Sequence, residues 1–193
     1  MKYFYLAPIG IVDSDILTAL ETSLWQTFGF EIRRMKPWEI PSYAFDAARN
    51  QYSSTVILRE LVRQCPSDAA RLLAVTELDL FIPMLSFIYG QAQLDGRVSI
   101  VSLARLRQEF YTLPANRMLA LSRLLKEAHH ELGHTFGLTH CIDRGCPMSL
   151  ATNIHQLDLK GSDYCNSCSI LVRENMEKIR MRDPGHFTPE ERK

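Results

Sequence analysis

The segment from His130 to His140 restricts the possible folds of this chain more than any other feature, because its histidines stand at fixed helix and turn positions. It reads HELGHTFGLTH. His130 and His134 are four residues apart, so on a helix their imidazoles project side by side. Gly137 allows the chain to leave the helix through a positive-φ turn, which would strain a residue with a Cβ by about 1–2 kcal/mol. The turn brings His140 back toward the other two rings.

Three neutral histidines form a zinc ligand set that leaves one coordination position open, as catalytic zinc sites do. Glu131 follows the first histidine by one residue, so its carboxylate is expected beside the metal rather than on it. We therefore predict that Glu131 acts as general base on a zinc-bound water and passes the proton to the leaving group. His129 points to another face of the helix and is not expected to bind the metal. Neither His155 nor His186 has ligand spacing.

Four clustered cysteines predict a second zinc site, which is closed and structural. The pattern C-x4-C-x18-C-x2-C is formed by Cys141, Cys146, Cys165 and Cys168. Two close pairs of this kind can surround one tetrahedral ion. Residues 138–168 contain few large apolar side chains, so a metal would stabilise them. Two disulfides or an iron–sulfur cluster are the alternatives. The remaining cysteine, Cys65, is expected to be a buried apolar residue.

Composition narrows the class of protein. The 22 Lys and Arg residues balance 22 Asp and Glu residues, so neither nucleic acid nor a membrane surface is an expected partner. No apolar run reaches the ~20 residues that a transmembrane helix needs. The apolar segment 1–12 contains Pro8 and Gly10 and has no cleavage site, so it predicts a buried strand rather than a signal peptide. The protein is therefore expected to be cytoplasmic.

The pattern of apolar residues predicts a mixed α/β fold. Helices between the early strands favour parallel pairing. Asp95-Gly96 between two apolar runs instead predicts an antiparallel hairpin. The predicted strands are 3–9, 30–35, 71–76, 87–94 and 97–103. The predicted helices are 13–28, 53–64, 115–136 and 166–182. Residues 37–52 and the chain between Gly137 and the last helix are predicted to be irregular.

Two further expectations concern the helix that carries the histidines and the division of the chain. One apolar face of this helix is predicted from Met118, Leu121, Leu125, Ala128 and Leu132. The chain is predicted to divide after Gly137. Residues 1–137 would form an N-terminal α/β subdomain with the active-site helix. Residues 138–193 would form a C-terminal subdomain with the third histidine, the cysteine site and the last helix.

The extended zinc motif followed by Met148 resembles the metzincin clan of metallopeptidases. The longer string HExxHxxGxxHC-x4-CxM, followed by CxxC, is similar to the archaemetzincin family in particular. Further similarities lie at Arg49–Tyr52, at Gly90-x-Ala92 and at Lys126–Ala128, so the resemblance covers most of the chain. One departure is Leu150, which stands where some metzincins have a tyrosine as an extra zinc ligand.

The resemblance implies a metzincin-like fold: a twisted mixed sheet with a backing helix and an active-site helix, then a small zinc-stapled subdomain. It implies that Met148 forms the Met-turn, an apolar floor beneath the zinc histidines. It also implies that the strand near 87–93 receives an extended peptide. The implied activity is hydrolysis of peptide or protein substrates with two zinc ions per chain. The alternatives are a catalytically silent, zinc-stabilised interaction module and a zinc hydrolase of a non-peptide amide.

Overall fold

The computed structural model describes residues 1–181 and arranges them around two β-sheets. In chain order the strands are β1 (Tyr3–Ile9), β2 (Ile32–Arg34), β3 (Phe45–Asp46), β4 (Gln51–Ser53), β5 (Ala69–Thr76), β6 (Leu80–Phe81), β7 (Gly90–Ala92) and β8 (Val98–Ser102). The helices are α1 (Ser14–Phe28), α2 (Ser54–Gln64), α3 (Arg117–Thr135), α4 (Ile154–Leu159) and α5 (Asn166–Met181). Arg182, the predicted end of the last helix, and His186 lie outside the described residues.

The central sheet has the strand order β2-β1-β5-β8-β7. Strands β1, β2, β5 and β8 pair in parallel, and β7 pairs with β8 in the antiparallel direction. The predicted mixed sheet with one antiparallel strand is therefore confirmed. The hairpin closes where the Gln93 N–H donates to the Val98 carbonyl at 3.0 Å. Both edge strands are shorter than predicted, since β2 pairs with β1 at only three positions and β7 pairs with β8 at only three.

Helices cover the two faces of the central sheet. Helices α1 and α3 pack on one face in the larger of two buried apolar clusters, whereas α2 packs on the other face in the smaller cluster. Both ends of α1 are confirmed. Asp13 accepts a hydrogen bond from the Asp15 N–H at 2.8 Å, and the left-handed Gly29 N–H donates to the Trp25 carbonyl at 2.8 Å. Helix α2 ends at Gln64, with Cys65 as its C-cap before Pro66, as predicted.

Two segments that were predicted to be irregular contain regular structure. Residues 37–52 hold a 3₁₀ turn, Ser42–Ala44, and β3, which pairs with β4 in the small sheet β3-β4-β6. The Phe45 and Tyr52 rings, 5.0 Å apart, stabilise this pairing across the strands. Further along, α4 interrupts the segment after Gly137, and the Asn153 side chain caps it by accepting from the Gln156 N–H at 3.0 Å.

The predicted apolar face of α3 is only partly right. Met118 is 75% exposed, whereas the helix from Arg123 onward is buried on several sides, including the polar residues Arg123 and Glu127. This happens because α3 lies between the sheet and the C-terminal part of the chain, whose Leu157 and Val172 join the same apolar cluster. No helix in residues 1–181 is both long and apolar enough to cross a membrane.

Candidate metal centres and active site

The three predicted histidines meet at the C-terminal end of α3. His130 and His134 project from successive turns, and Gly137, with φ +83°, reverses the chain so that His140 returns to them. The ring centroids of His140 lie 5.3 Å from His130 and 5.1 Å from His134. One nitrogen from each of the three rings lies within 4.8 Å of the other two.

Backbone carbonyls fix the tautomers of the two helical histidines. His130 Nδ1 donates to the Pro147 carbonyl at 2.8 Å, and His134 Nδ1 donates to the Leu138 carbonyl at 2.7 Å. Because a carbonyl can only accept, each Nδ1 holds the ring proton and each Nε2 presents a lone pair. The two Nε2 atoms are 3.1 Å apart. Two facing lone pairs repel each other, so this arrangement fits a cation bound between them, and metal-binding histidines are commonly oriented by such second hydrogen bonds.

Burial keeps the three rings in the neutral form that binds metals. It lowers the pKa of His130 well below the ordinary value, and it lowers the pKa of His134 and of His140 as well. His129 is directed elsewhere: its Nδ1 donates to the Ser162 carbonyl at 2.8 Å, and its Nε2 faces Ser23 and Thr27. His155 is exposed on the short helix α4.

Glu131 is buried beside the histidines. One of its carboxylate oxygens lies within 4.8 Å of a ring nitrogen of His130. Strand β7 passes close to it, since a Cβ at Gly90 would lie 2.6 Å from Glu131 Cγ and 2.8 Å from its Oε1. Burial, and then the neighbouring carboxylate of Glu127, raise the pKa of Glu131 well above its ordinary value, while Lys160 lowers it.

Two charged residues at this site, Glu127 and Lys160, were not predicted to have a role there. Glu127 lies one helical turn before Glu131, and its spacing alone could have shown that the two carboxylates share a face. Lys160 comes from the end of α4, and its Nζ donates at 3.1 Å to the Pro147 carbonyl that His130 also uses. Burial lowers the pKa of Lys160, and the two carboxylates raise it. No local sequence signal indicates this long-range contact.

Met148 lies beneath the active-site helix. It is fully buried, and its Sδ fills the space that a Cβ on Gly133 would occupy. Its carbonyl accepts from the Cys141 N–H at 2.9 Å. Met148 therefore contacts both helix α3 and the start of the cysteine cluster.

The four predicted cysteines also come together. Their sulfur atoms lie within 4.8 Å of one another, and all four thiols are free. Cys141 Sγ and Cys165 Sγ are 3.8 Å apart, well beyond the ~2.05 Å of a disulfide bond. The backbone N–H of Cys168 lowers the pKa of Cys165, whereas burial raises the pKa of Cys146 and of Cys168. Four sulfurs in this arrangement fit a closed tetrahedral metal site. Cys65 is half-buried and belongs to neither cluster.

A cavity of about 530 Å³ opens beside the histidines. Its walls include strand β7, the segment 85–89 before it, Glu127 and Glu131 of α3, and residues 150–152 after Met148. Leu85, Leu94 and Leu150 form an exposed apolar rim. The cavity thus joins the edge strand, the buried carboxylates and the three histidine rings in one open site.

Comparison with known proteins agrees with this geometry. The sequence model of peptidase family M54 matches residues 40–174. The archaemetzincin of Methanocaldococcus jannaschii is 42% identical over 164 residues, which are 84% of this chain and 88% of that one. The crystal structure of the Methanopyrus kandleri archaemetzincin superposes with a TM-score of 0.80 at 34% identity, covering 91% of this chain and 96% of that one.

A zinc-dependent peptidase from Methanocorpusculum labreanum has a TM-score of 0.76 at 28% identity, covering 88% of this chain and 99% of that chain. These likenesses confirm the predicted metzincin-like fold, and the relatives span nearly the whole length of the described chain. The chain therefore belongs to peptidase family M54 and is a metallopeptidase of the archaemetzincin family.

Proposed function

We propose that this chain hydrolyses peptide bonds with a catalytic zinc ion held by His130, His134 and His140. The observation that supports this best is the pair of unprotonated Nε2 atoms 3.1 Å apart, each fixed by a carbonyl on the other side of its ring. A bound zinc would polarise the scissile carbonyl and make a water more acidic. Three neutral ligands leave room for that chemistry, whereas four protein ligands would not.

Glu131 is the proposed general base. One of its carboxylate oxygens lies within 4.8 Å of a His130 ring nitrogen, but Glu131 is not one of the three converging histidines, so its carboxylate is free to accept the proton of the attacking water. Strand β7 fixes its position through the close approach at Gly90. The same carboxyl group then delivers the proton to the leaving amine, which completes hydrolysis of the bond.

Strand β7 is the proposed docking edge for the substrate. It is the last strand of the central sheet and pairs only with β8, so the other side of its backbone remains available. An extended peptide can add to such an edge through main-chain hydrogen bonds. Because β7 also passes Glu131, a peptide bound there would place a backbone carbonyl near the histidines.

A second zinc ion is proposed at Cys141, Cys146, Cys165 and Cys168, where it would hold the segment after Gly137 in place. Cys141 follows His140 directly in the chain. Its backbone forms an isolated parallel β-bridge with Ser149, the residue after Met148. The structural zinc would thus position both the third ligand and the proposed Met-turn floor at Met148. In this proposal residues 1–137 supply the sheet and active-site helix, and residues 138–193 complete the site.

Metal analysis and a peptide library test this proposal together. Protein purified without chelator should contain two zinc ions per chain and should cleave peptides in a mixed library, as seen by mass spectrometry. Chelated protein should lose this activity and regain it with added zinc. Iron instead of zinc, or one ion per chain, would contradict the two-zinc proposal. A fully loaded protein that cleaves no peptide would instead support a silent interaction module, and one that cleaves only non-peptide amides would indicate a different hydrolase.

A further inference from the structure

A second cavity, of about 460 Å³, borders the active-site cavity at the turn of the β7–β8 hairpin. Leu94 lines the active-site cavity, and the two residues that follow it, Asp95 and Gly96, line the second one. The rest of its wall comes from the chain before β1, the start of β5 and helix α5. Because four cations and one carboxylate line this cavity, we call it the basic cavity. Its charged lining residues are Lys2, Arg71, Asp95, Arg97 and Lys178.

The four cations of the basic cavity have no direct acidic partner within residues 1–181. No carboxylate of these residues lies within 4.0 Å of any of them. Other arginines in the same part of the chain are paired, such as Arg34 with Glu21 and Arg105 with Asp79, each at 2.7 Å. The positive charge of the basic cavity is therefore not neutralised by ion pairs with the described residues.

The accessible cations keep donor groups for a ligand. Arg97 is exposed, and its Nη1 donates to the Pro66 carbonyl at 3.4 Å. Lys178 is also exposed, and its Nζ donates to the Asn175 side-chain oxygen at 3.2 Å. Lys2 is half-buried, and its Nζ donates to a backbone carbonyl at 2.8 Å. An ammonium has three N–H donors and a guanidinium has five, so each of these side chains has further donors to offer.

Arg71 adds a buried positive charge to the wall of the basic cavity. It is 7% exposed, its Nη1 donates to the Ala70 carbonyl at 2.6 Å, and its guanidinium lies over the Phe136 ring, 4.1 Å from the centroid. Burial lowers the pKa of Arg71 to about 10; Asp95 opposes this effect, and Arg97 adds to it. A buried charge is costly unless an opposite charge compensates it. An anion in the cavity would provide that compensation through space, without touching Arg71.

We propose that the basic cavity binds a phosphate group, with Arg97, Lys178 and Lys2 as its hydrogen-bond donors. Arginine and lysine are common phosphate-binding side chains, because their charged N–H donors match the several oxygens of this group. Asp95 fits the same ligand, since the hydroxyl of a protonated phosphate can donate to a carboxylate, whereas sulfate has no hydroxyl at neutral pH. This site is additional to the two proposed zinc centres and does not depend on the proposed peptidase function.

Isothermal titration calorimetry of the zinc-loaded full chain with inorganic phosphate, at constant ionic strength, tests the site. We expect saturable binding with a Kd of about 1 mM or lower, as two or three charge-assisted hydrogen bonds would give. Sulfate should bind at least about threefold more weakly, because it cannot donate to Asp95. Arg97→Gln and Lys178→Gln should each weaken phosphate binding by about threefold to tenfold. Both side chains are exposed, so the variants should fold normally.

Two sources carry a phosphate group, and a second titration distinguishes them. One source is free inorganic phosphate; the other is a phosphorylated side chain of a peptide in the neighbouring active-site cavity, and this source alone rests on the proposed peptidase function. A phosphoserine peptide and its unphosphorylated form are compared. Equal affinity of the two peptides identifies free phosphate as the ligand. Tighter binding of the phosphoserine peptide, lost in Arg97→Gln, identifies the peptide.

Arg59→Gln and Lys36→Gln are the matched controls, since both side chains are exposed and lie outside the basic cavity. Each removes the same charge and should leave the phosphate Kd unchanged. No saturable binding up to about 10 mM phosphate would overturn the proposal. Binding that neither Arg97→Gln nor Lys178→Gln weakens would also overturn it, because the phosphate would then be bound elsewhere, such as at the histidine-bound metal. Equal affinity for sulfate would overturn the assignment of phosphate as the ligand.

Discussion

At Gly90 the edge strand comes so close to Glu131 that no side chain fits. A Cβ there would lie 2.6 Å from Glu131 Cγ and 2.8 Å from the Ile100 carbonyl oxygen. The carbonyl is backbone and cannot easily shift, so Gly90→Ala should displace Glu131 instead. Misplacing a catalytic group by about 1 Å can cost on the order of 10²-fold in rate. We expect kcat/KM to fall by about tenfold to a hundredfold while zinc content, measured by elemental analysis, stays at two ions.

Gly145→Ala is the matched control for that substitution. Gly145 has no positive φ, and a Cβ there would meet only the Asp143 carboxylate at 3.4 Å. The Gly145→Ala variant should keep both metals and normal activity, although Gly145 lies between two of the proposed zinc ligands, Cys141 and Cys146. Full activity in Gly90→Ala would show that β7 does not position Glu131.

Glu131 and His134 should respond differently to truncation. Glu131→Ala removes the proposed base but none of the converging nitrogens, so both zinc ions should remain bound. Removing the Glu131 carboxylate also removes its repulsion with the Glu127 carboxylate, so the variant should still fold. Hydrolysis should fall by about 10²–10⁴-fold, the usual contribution of general acid–base catalysis. His134→Ala leaves two ligands and should lose the catalytic ion alone. Turnover assays with metal analysis on both variants separate the two roles, and an active Glu131→Ala enzyme would rule out the base assignment.

The folding of the segment after α3 should depend on all four of its clustered cysteines. Structural zinc contributes directly to folding, because the unfolded chain has no preformed site for it. Cys141→Ser or Cys165→Ser should therefore lose the structural ion and lower the melting temperature. Activity should fall as well, since His140 precedes Cys141. Cys65→Ser is the control, because Cys65 is half-buried and lies outside both clusters; this variant should keep both zinc ions bound. A Cys141→Ser protein with two zinc ions and normal melting would contradict the proposed ligand set.

Elements whose ends depend on local chemistry were predictable from the sequence. Asp13 and Gly29 determine both ends of α1 through hydrogen bonds to neighbouring residues. The histidine and cysteine clusters were predictable for the same reason, since ligand spacing is a local property. Strand β7 was predicted too long, because its length depends on how far β8 runs beside it. Contacts such as that of Lys160 with the Pro147 carbonyl join turns and helices that no short-range pattern relates.

At the scale of the whole molecule, the proposed division after Gly137 does not separate two apolar cores. Leu124 and Leu132 of α3 belong to the same buried cluster as Leu157, Val172 and Met176 of the C-terminal part. Because the two parts share one apolar cluster, unfolding of the C-terminal part would remove packing contacts from α3 and so destabilise the N-terminal part as well. Loss of the cysteine-bound zinc should therefore affect the whole fold, whereas loss of the histidine-bound zinc should not.

The two ions should consequently leave in a fixed order under a chelator. His140 is exposed and the histidine site is open, whereas Cys146 and Cys168 are buried and four sulfurs enclose the other ion. A chromogenic chelator should report two kinetic phases of equal amplitude. The first should abolish hydrolysis without changing the circular dichroism spectrum, and added zinc should restore activity. The second should coincide with loss of tertiary structure. A single phase, or unfolding that accompanies the first ion, would show that the two sites do not have separate catalytic and structural roles.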